Sequence, residues 1–374
     1  MPYGPRHHPN KYPVFITYSL HLLIFLLRSI VNELSDQAYW EAASEAFSTD
    51  RLELTLLPTE QCNLRCGYCY EKFEHGRMQL AVVSGVKSLI DRRAEELRHL
   101  SIDWFGGEPL LASDIMIEIG SHAQSVAAQS DILYLGSATT NGILLDAKNA
   151  RALTDVGIRR FHVSLDGPKQ SHDLTRKAAG GRGTFDKLMG NLREIKASDI
   201  AIKIELRVHV TPANVDVLPD FADFLRQEFL NDPRFSAYFF PIVDLGGPNQ
   251  GDFGVLTYER ARVIVDELTA RLWGRDRVRP KIEAKTCDSC YVCYAAKGNA
   301  WVIRSTGQIV KCTVGLDDPL NHVGTLHADG SMEIIPRKSD IWLRGWQSKR
   351  QIDLHCPYEN MREDVQSGQV EARA

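Results

Sequence analysis

Between Arg51 and about Val243 the chain alternates short runs rich in β-branched and aromatic residues with longer stretches whose apolar residues recur three and four apart. The β-rich runs cover residues 52–57, 100–105, 132–139, 161–165, 202–210 and 237–243. Between them, positions such as Val83, Val86, Ile90, Ala94 and Leu97 mark one apolar face of a helix. Repeated strand-then-helix units join through right-handed crossovers, so the pattern predicts a parallel sheet with helices outside it. Six such units suit an α/β fold built as a partial (β/α)6 barrel better than a closed eightfold one.

The polar residues that punctuate this pattern fall just after the strands. Cysteines follow the first run, Gly106-Gly107-Glu108-Pro109 the second and Thr140-Asn141-Gly142 the third. Asp166-Gly167-Pro168 follows the fourth, and Thr211-Pro212-Ala213-Asn214 the fifth. Parallel strands present their carboxyl ends on one rim, which brings these loops to a single mouth.

Outside the alternation the pattern changes. Residues 14–27, VFITYSLHLLIFLL, are apolar apart from Thr17, Ser19 and His21. The run is shorter than the roughly 20 residues that cross a bilayer, so it reads as an element packed on the body, with a membrane-surface or partner contact, and last a spanning anchor, as the alternatives. Residues 35–47 read as an amphipathic helix. The stretch GGPNQGDFG, residues 246–254, marks a boundary, and a helix over 258–273 follows. Past residue 287 comes a hairpin-like stretch, 300–311, around Thr306-Gly307, and then a charged tail. The expected organisation is an N-terminal extension over 1–50, a barrel over 51–245, a linker and helix over 246–286, and a small C-terminal unit over 287–374.

Composition adds two restrictions. The net charge of −4 and the lack of a long basic run give no electrostatic footprint for nucleic acid. The eight cysteines, without a convincing signal peptide before them, point to metal in a cytoplasmic protein rather than to a disulfide framework. They fall in two groups. Cys62, Cys66 and Cys69 lie within eight residues, CNLRCGYC, and no fourth cysteine is near. A structural zinc site needs four ligands, whereas three thiolates on a four-iron cluster leave one iron open to a small molecule.

The C-x-x-x-C-x-x-C spacing, with Tyr68 as the aromatic inside it and the GGEP loop after the second strand, resembles the radical S-adenosylmethionine (SAM) superfamily. That resemblance implies a [4Fe-4S] cluster on Cys62, Cys66 and Cys69. In the family the open iron binds SAM, whose reductive cleavage gives a 5′-deoxyadenosyl radical. Gly106 and Gly107 permit close backbone approach, so that groups near Glu108 meet the ammonium end of SAM. The segment SLDGPKQSHDLTR, residues 164–176, looks like the family's ribose and carboxylate segment, with Ser164, Asp166 and Arg176 as its contacts. Asn141 is expected at the mouth, and residues 208–214 near the adenine.

The second group is Cys287, Cys290, Cys293, Cys312 and Cys356. Thirteen residues separate Cys293 from Gly307 and four more precede Cys312, which resembles the opening of the SPASM domain and its shorter relative, the twitch domain. This implies one auxiliary [4Fe-4S] cluster on Cys287, Cys293, Cys312 and Cys356. Cys290 either replaces Cys287 or stays a free thiol, and a four-thiolate zinc site is the alternative.

Family members with this tail mostly modify peptide or protein side chains. The resemblance therefore implies a peptide substrate, with or without a leader, and an electron donor such as flavodoxin or ferredoxin. The stretch ahead of the barrel is too short for a leader-binding winged helix, so the front segment, the tail or a separate protein is expected to recognise a leader. In anaerobic sulfatase maturases an Asp follows the cysteine matching Cys312. Here the next residue is Thr313, with Asp317 and Asp318 off register, which ranks formylglycine formation below peptide crosslinking. A twitch-type dehydrogenase of small molecules is the other alternative, and the residue doing acid–base work on the substrate is not identifiable.

Overall fold

The computed structural model describes residues 36–246, 253–274, 291–349 and 351–366; residues 14–27, Cys287 and Cys290 lie outside the described residues. The first described element is helix α1 (Asp36–Phe47), where an amphipathic helix was expected. The barrel then runs through β1 (Arg51–Leu56), a three-residue strand β2 (Leu64–Cys66), α2 (Leu80–Arg93), β3 (His99–Trp104), α3 (Ser113–Gln129), β4 (Leu133–Thr140) and α4 (Ala147–Asp155). It continues with β5 (Ile158–Leu165), α5 (Lys169–Thr175), β6 (Arg176–Ala178), α6 (Phe185–Lys196), β7 (Lys203–Val210), α7 (Leu218–Glu228) and β8 (Phe235–Pro241), followed by α8 (Tyr258–Trp273).

The six long strands pair in parallel in the order β1-β3-β4-β5-β7-β8, as the alternation predicts. Their outward residues, among them Leu54, Ile102, Phe161 and Leu206, are fully buried under the helices. The opposite face is polar and mostly half-exposed: Glu53, Asp103, His162, Glu205 and Arg207, with the buried Ser164, stand on alternate positions of their strands. A barrel lined this way holds a polar interior rather than a packed core. Helix α2 ends at Arg93, with Ala94 as its cap, so Leu97 belongs to the turn beyond it although it is still buried in the core.

The C-terminal unit does not stand apart from the barrel. Its first strand β9 (Ala300–Ile303) pairs in parallel with β1, from Glu53 opposite Ala300 to Leu56 opposite Ile303. The hairpin expected around Gly307 forms between β9 and β10 (Gln308–Val310), and β11 (His322–Leu326) and β12 (Met332–Ile334) extend the sheet to ten strands. Helices α9 (Pro336–Leu343), α10 (Gly345–Ser348), α11 (Gln351–His355) and α12 (Pro357–Gln366) close the chain. Helix α1 seats against this unit: Tyr39 donates to the Trp346 carbonyl at 2.6 Å, and Gly298 N and Asn299 N donate to the carbonyl of Ala46.

Candidate active site

The cysteine stretch is half strand, half turn. β2 carries Leu64, Arg65 and Cys66 antiparallel to β6, so that Cys66 lies directly opposite Arg176 in the ladder. Gly67 N donates to the Thr175 carbonyl and Cys69 N to that of Cys66, which turns the chain tightly after the strand. The GGEP loop lies on the same stretch, with Glu108 N donating to the Gln61 carbonyl at 2.9 Å. Gly106, at φ +102°, and Gly107 are required by this approach. A Cβ on Gly106 would overlap the Thr59 carbonyl oxygen, and one on Gly107 would stand 2.5 Å from that of Gln61.

Glu108 is fully buried and accepts from Leu110 N, Thr140 Oγ1 and Asn141 N. Burial raises its pKa, and these three donors oppose that rise. Its side chain is thus a bracket tying the GGEP loop to the Thr140-Asn141-Gly142 loop, while the backbone before it faces the cysteines. Asn141 donates to Asn63 Oδ1 at 2.7 Å, and its amide nitrogen lies 3.9 Å from Cys62 Sγ.

Tyr68 is the hub of a buried network. Its hydroxyl lies 2.8 and 2.9 Å from the Asp166 carboxylate oxygens and 2.9 Å from His209 Nδ1, and it accepts from Arg176 Nη1 at 2.7 Å. Asp166 also accepts from Thr175 Oγ1, and His209 Nδ1 approaches it at 2.9 Å. Burial by itself would raise the Asp166 pKa, but the His209 hydrogen bond and the Arg176 charge hold its carboxyl well below the usual range. Burial pushes His209 down to about 4, so a neutral imidazole donates to a charged carboxylate. Ser164, also buried, accepts instead from Arg207 Nη2 at 3.0 Å.

The structure therefore brings together Cys62, Cys66, Cys69, Tyr68, Gly106, Gly107, Glu108, Asn141, Asp166 and Arg176, and places Ser164 two residues before Asp166 at the end of β5, where it meets Arg207 of β7. Sequence reasoning included His209 only within the segment 208–214 and did not single out either it or Arg207. Their signal was the alternation of Lys203, Glu205, Arg207 and His209 along one face of β7.

The cysteine turn gathers three soft sulfur donors. Leu64 N points at Cys62 Sγ at 3.4 Å. Burial pushes Cys62 and Cys69 up to about 12 and raises Cys66, which a metal's positive charge would offset. Among the described residues no group of three Cys, His, Asp or Glu side chains forms a ready-made site for a metal ion. The fit to a cluster rests on the donor set: three soft thiols around one tight turn, with nitrogen donors at Cys62 and a cation at Cys66.

Cys293, Cys312 and Cys356 are buried within the C-terminal unit, close enough that Cys356 and Cys312 each raise the pKa of Cys293 beyond the effect of burial. Each sulfur meets a backbone N–H, from Ala295, Val314 and Glu359 respectively. Asn321 builds the Cys312 turn, accepting from Lys311 N and Cys312 N and donating to the Cys312 and Gly315 carbonyls. Neither nearby carboxylate is free for other work. Asp317 pairs with Lys72 and Arg304, and Asp318 accepts from Leu320 N and Tyr358.

Comparison with known proteins agrees with this geometry. Residues 56–225 match the model of the radical SAM superfamily. Among curated relatives, Fe-coproporphyrin III synthase of Methanosarcina barkeri is 31% identical over 218 residues, 57% of this chain and 49% of the relative. GTP 3',8-cyclase 3 of Mycobacterium tuberculosis is 31% identical over 205 residues, 53% of this chain and 50% of the relative. The chain thus spans about half the length of the curated relatives it matches. Among solved structures, anSMEcpe with bound AdoMet superposes with a TM-score of 0.62 at 19% identity, covering 78% of this chain and 84% of that one. SuiB of Streptococcus suis bound to precursor peptide SuiA gives 0.53 at 16% identity, covering 87% and 76%. At such identities the likeness is one of fold. No described helix is long and apolar enough to cross a membrane.

Proposed function

We propose that the protein modifies a peptide or protein side chain by radical chemistry, as a ribosomal-peptide maturase. The observation that carries the reading is the placement of two thiol groups beside one continuous sheet, with the half-buried Cys62, Cys66 and Cys69 after β1 and the buried Cys293 and Cys312 flanking the β9–β10 hairpin. A [4Fe-4S] cluster on the first group would supply an electron to SAM and release the 5′-deoxyadenosyl radical. The chain's own residues do the rest. Gly106 and Gly107 bring backbone to the ammonium end of SAM, and Arg176, opposite Cys66, reaches its carboxylate. Tyr68, Asp166 and His209 hold that arginine in position, and Asn141 donates toward the Cys62 sulfur. Cys293, Cys312 and Cys356, with Cys287 or Cys290, are the ligands of an auxiliary [4Fe-4S] cluster. A flavodoxin or ferredoxin is the expected electron donor.

The peptide class is supported by the fold neighbours, of which anSMEcpe and SuiB have each been solved with a bound peptide. Formylglycine formation ranks lower, because Asp317 and Asp318 are both engaged and Thr313 bonds to Tyr294. A small-molecule substrate is the second reading, and the named substrates of the curated relatives favour it. The test is anaerobic reconstitution with iron and sulfide, then reductant, SAM and a library of short synthetic peptides. The peptide reading expects 5′-deoxyadenosine together with a mass change of a peptide. Unmodified peptides, with a metabolite turned over in their place, would favour the second reading.

A further inference from the structure

Among the described residues, the Arg207 guanidinium at the barrel mouth forms no ion pair. Its Nη2 donates to Ser164 Oγ at 3.0 Å, and its guanidinium carbon lies 5.8 Å from the centre of the Phe240 ring. Its Nε is buried and has no hydrogen-bond partner. The nearest carboxylates on its own and the neighbouring strand are committed elsewhere: Glu205 sits 2.9 Å from His162, and Asp166 is shared among Tyr68, Thr175 and His209. The other mouth arginine, Arg176, also has a buried Nε without a partner but has the Asp166 carboxylate within 3.9 Å.

A buried, unpaired N–H is costly to maintain and calls for a partner. Arg207 sits between Ser164 on β5 and Tyr238 on β8 in the sheet register, facing the interior of the barrel. Its charge is also felt by Tyr70, just past the cysteine turn, and by His209. The free Nε together with Nη2 forms the side of the guanidinium that grips two oxygens of a planar anion, and the Ser164 hydroxyl lies beside it.

We propose that Arg207 binds a carboxylate carried by the substrate peptide, an acidic side chain held in the barrel mouth, and so sets which peptides enter. This rests on the peptide reading above. The competing source of the same chemistry is the carboxylate of SAM itself, for which Arg176 is already placed.

The test uses reconstituted, SAM-loaded but unreduced holoenzyme to retain members of a random library of N-acetylated, C-amidated octapeptides. With the wild type, retained peptides should be enriched in Asp and Glu over Asn and Gln by about tenfold. In Arg207→Gln that enrichment should vanish, and in Arg207→Lys, which keeps the charge without the fork, part of it should survive. SAM affinity, measured separately on the same iron-replete samples, should fall far less than acidic-peptide retention. Absence of acidic enrichment with the wild type, or its persistence in Arg207→Gln, overturns the proposal. A loss of SAM affinity by about tenfold or more in Arg207→Gln overturns it too, by assigning the guanidinium to the SAM carboxylate. Failure of the radical SAM reading would appear elsewhere, as wild-type enzyme that forms no 5′-deoxyadenosine.

Discussion

Tyr68 shows how one hydroxyl can organise a site. It meets Asp166, His209 and Arg176 at once, inside a region from which water is largely excluded, so its removal leaves three polar groups short of a partner. Tyr68→Phe should cost about 1–3 kcal/mol in urea unfolding and weaken SAM binding, because Arg176 loses its anchor. An unchanged unfolding midpoint would remove the hub role. His172 supplies a pH dependence. Its Nδ1 accepts from Asp166 N, its Nε2 faces Thr184 Oγ1, and burial lowers its pKa from 6.5 to about 4. The unfolded chain therefore takes up a proton that the folded one refuses, so stability is highest above pH 6.5 and falls as pH drops toward 4. The slope from this group is at most about 1.4 kcal/mol per pH unit. Urea midpoints measured between pH 7 and 4.5 should fall less steeply in His172→Asn. The sequence displayed Tyr68 inside its motif but not what its hydroxyl touches, since Asp166 and His209 are 98 and 141 residues away.

At the level of elements, the strand-and-helix alternation was readable because each strand is buried on its outer face and each helix on one stripe. All six long barrel strands and helix α8 fall where the pattern put them to within a few residues. What escaped is what depends on pairing rather than period. β2 and β6, three residues each, are too short to have a period, yet their register sets Cys66 against Arg176. The GGEP loop is similar: its glycines were legible, while their reason, the carbonyls of Thr59 and Gln61, belongs to another loop. Gly107→Ala would push the two loops apart without demanding an unusual φ. It should lower iron retained after anaerobic reconstitution and weaken SAM binding by about tenfold or more, with little change in far-ultraviolet circular dichroism. Full iron and unaltered SAM affinity would show that the loops need no such contact.

On the scale of the whole molecule, the sequence suggested a separate C-terminal unit, and the structure joins it to the barrel through β1 and β9. A buried ion pair reinforces the joint. Arg304, after β9, donates to both carboxylate oxygens of Glu60 just ahead of the cysteines, and also to the Leu316 carbonyl and Asp317. Removing one partner strands a buried charge, so Arg304→Met should destabilise by about 3–5 kcal/mol, while the double replacement with Glu60→Gln should recover part of the loss. Additive effects in that double-mutant cycle would contradict the coupling. The central claim, however, is that three thiols in one turn support SAM cleavage. The most direct measurement is 5′-deoxyadenosine formed from SAM by anaerobically reconstituted, reduced protein, with Cys66→Ala beside the wild type. The account predicts product from the wild type and none from the variant; equal product from both, or a single zinc ion and no iron in the wild type, would contradict it.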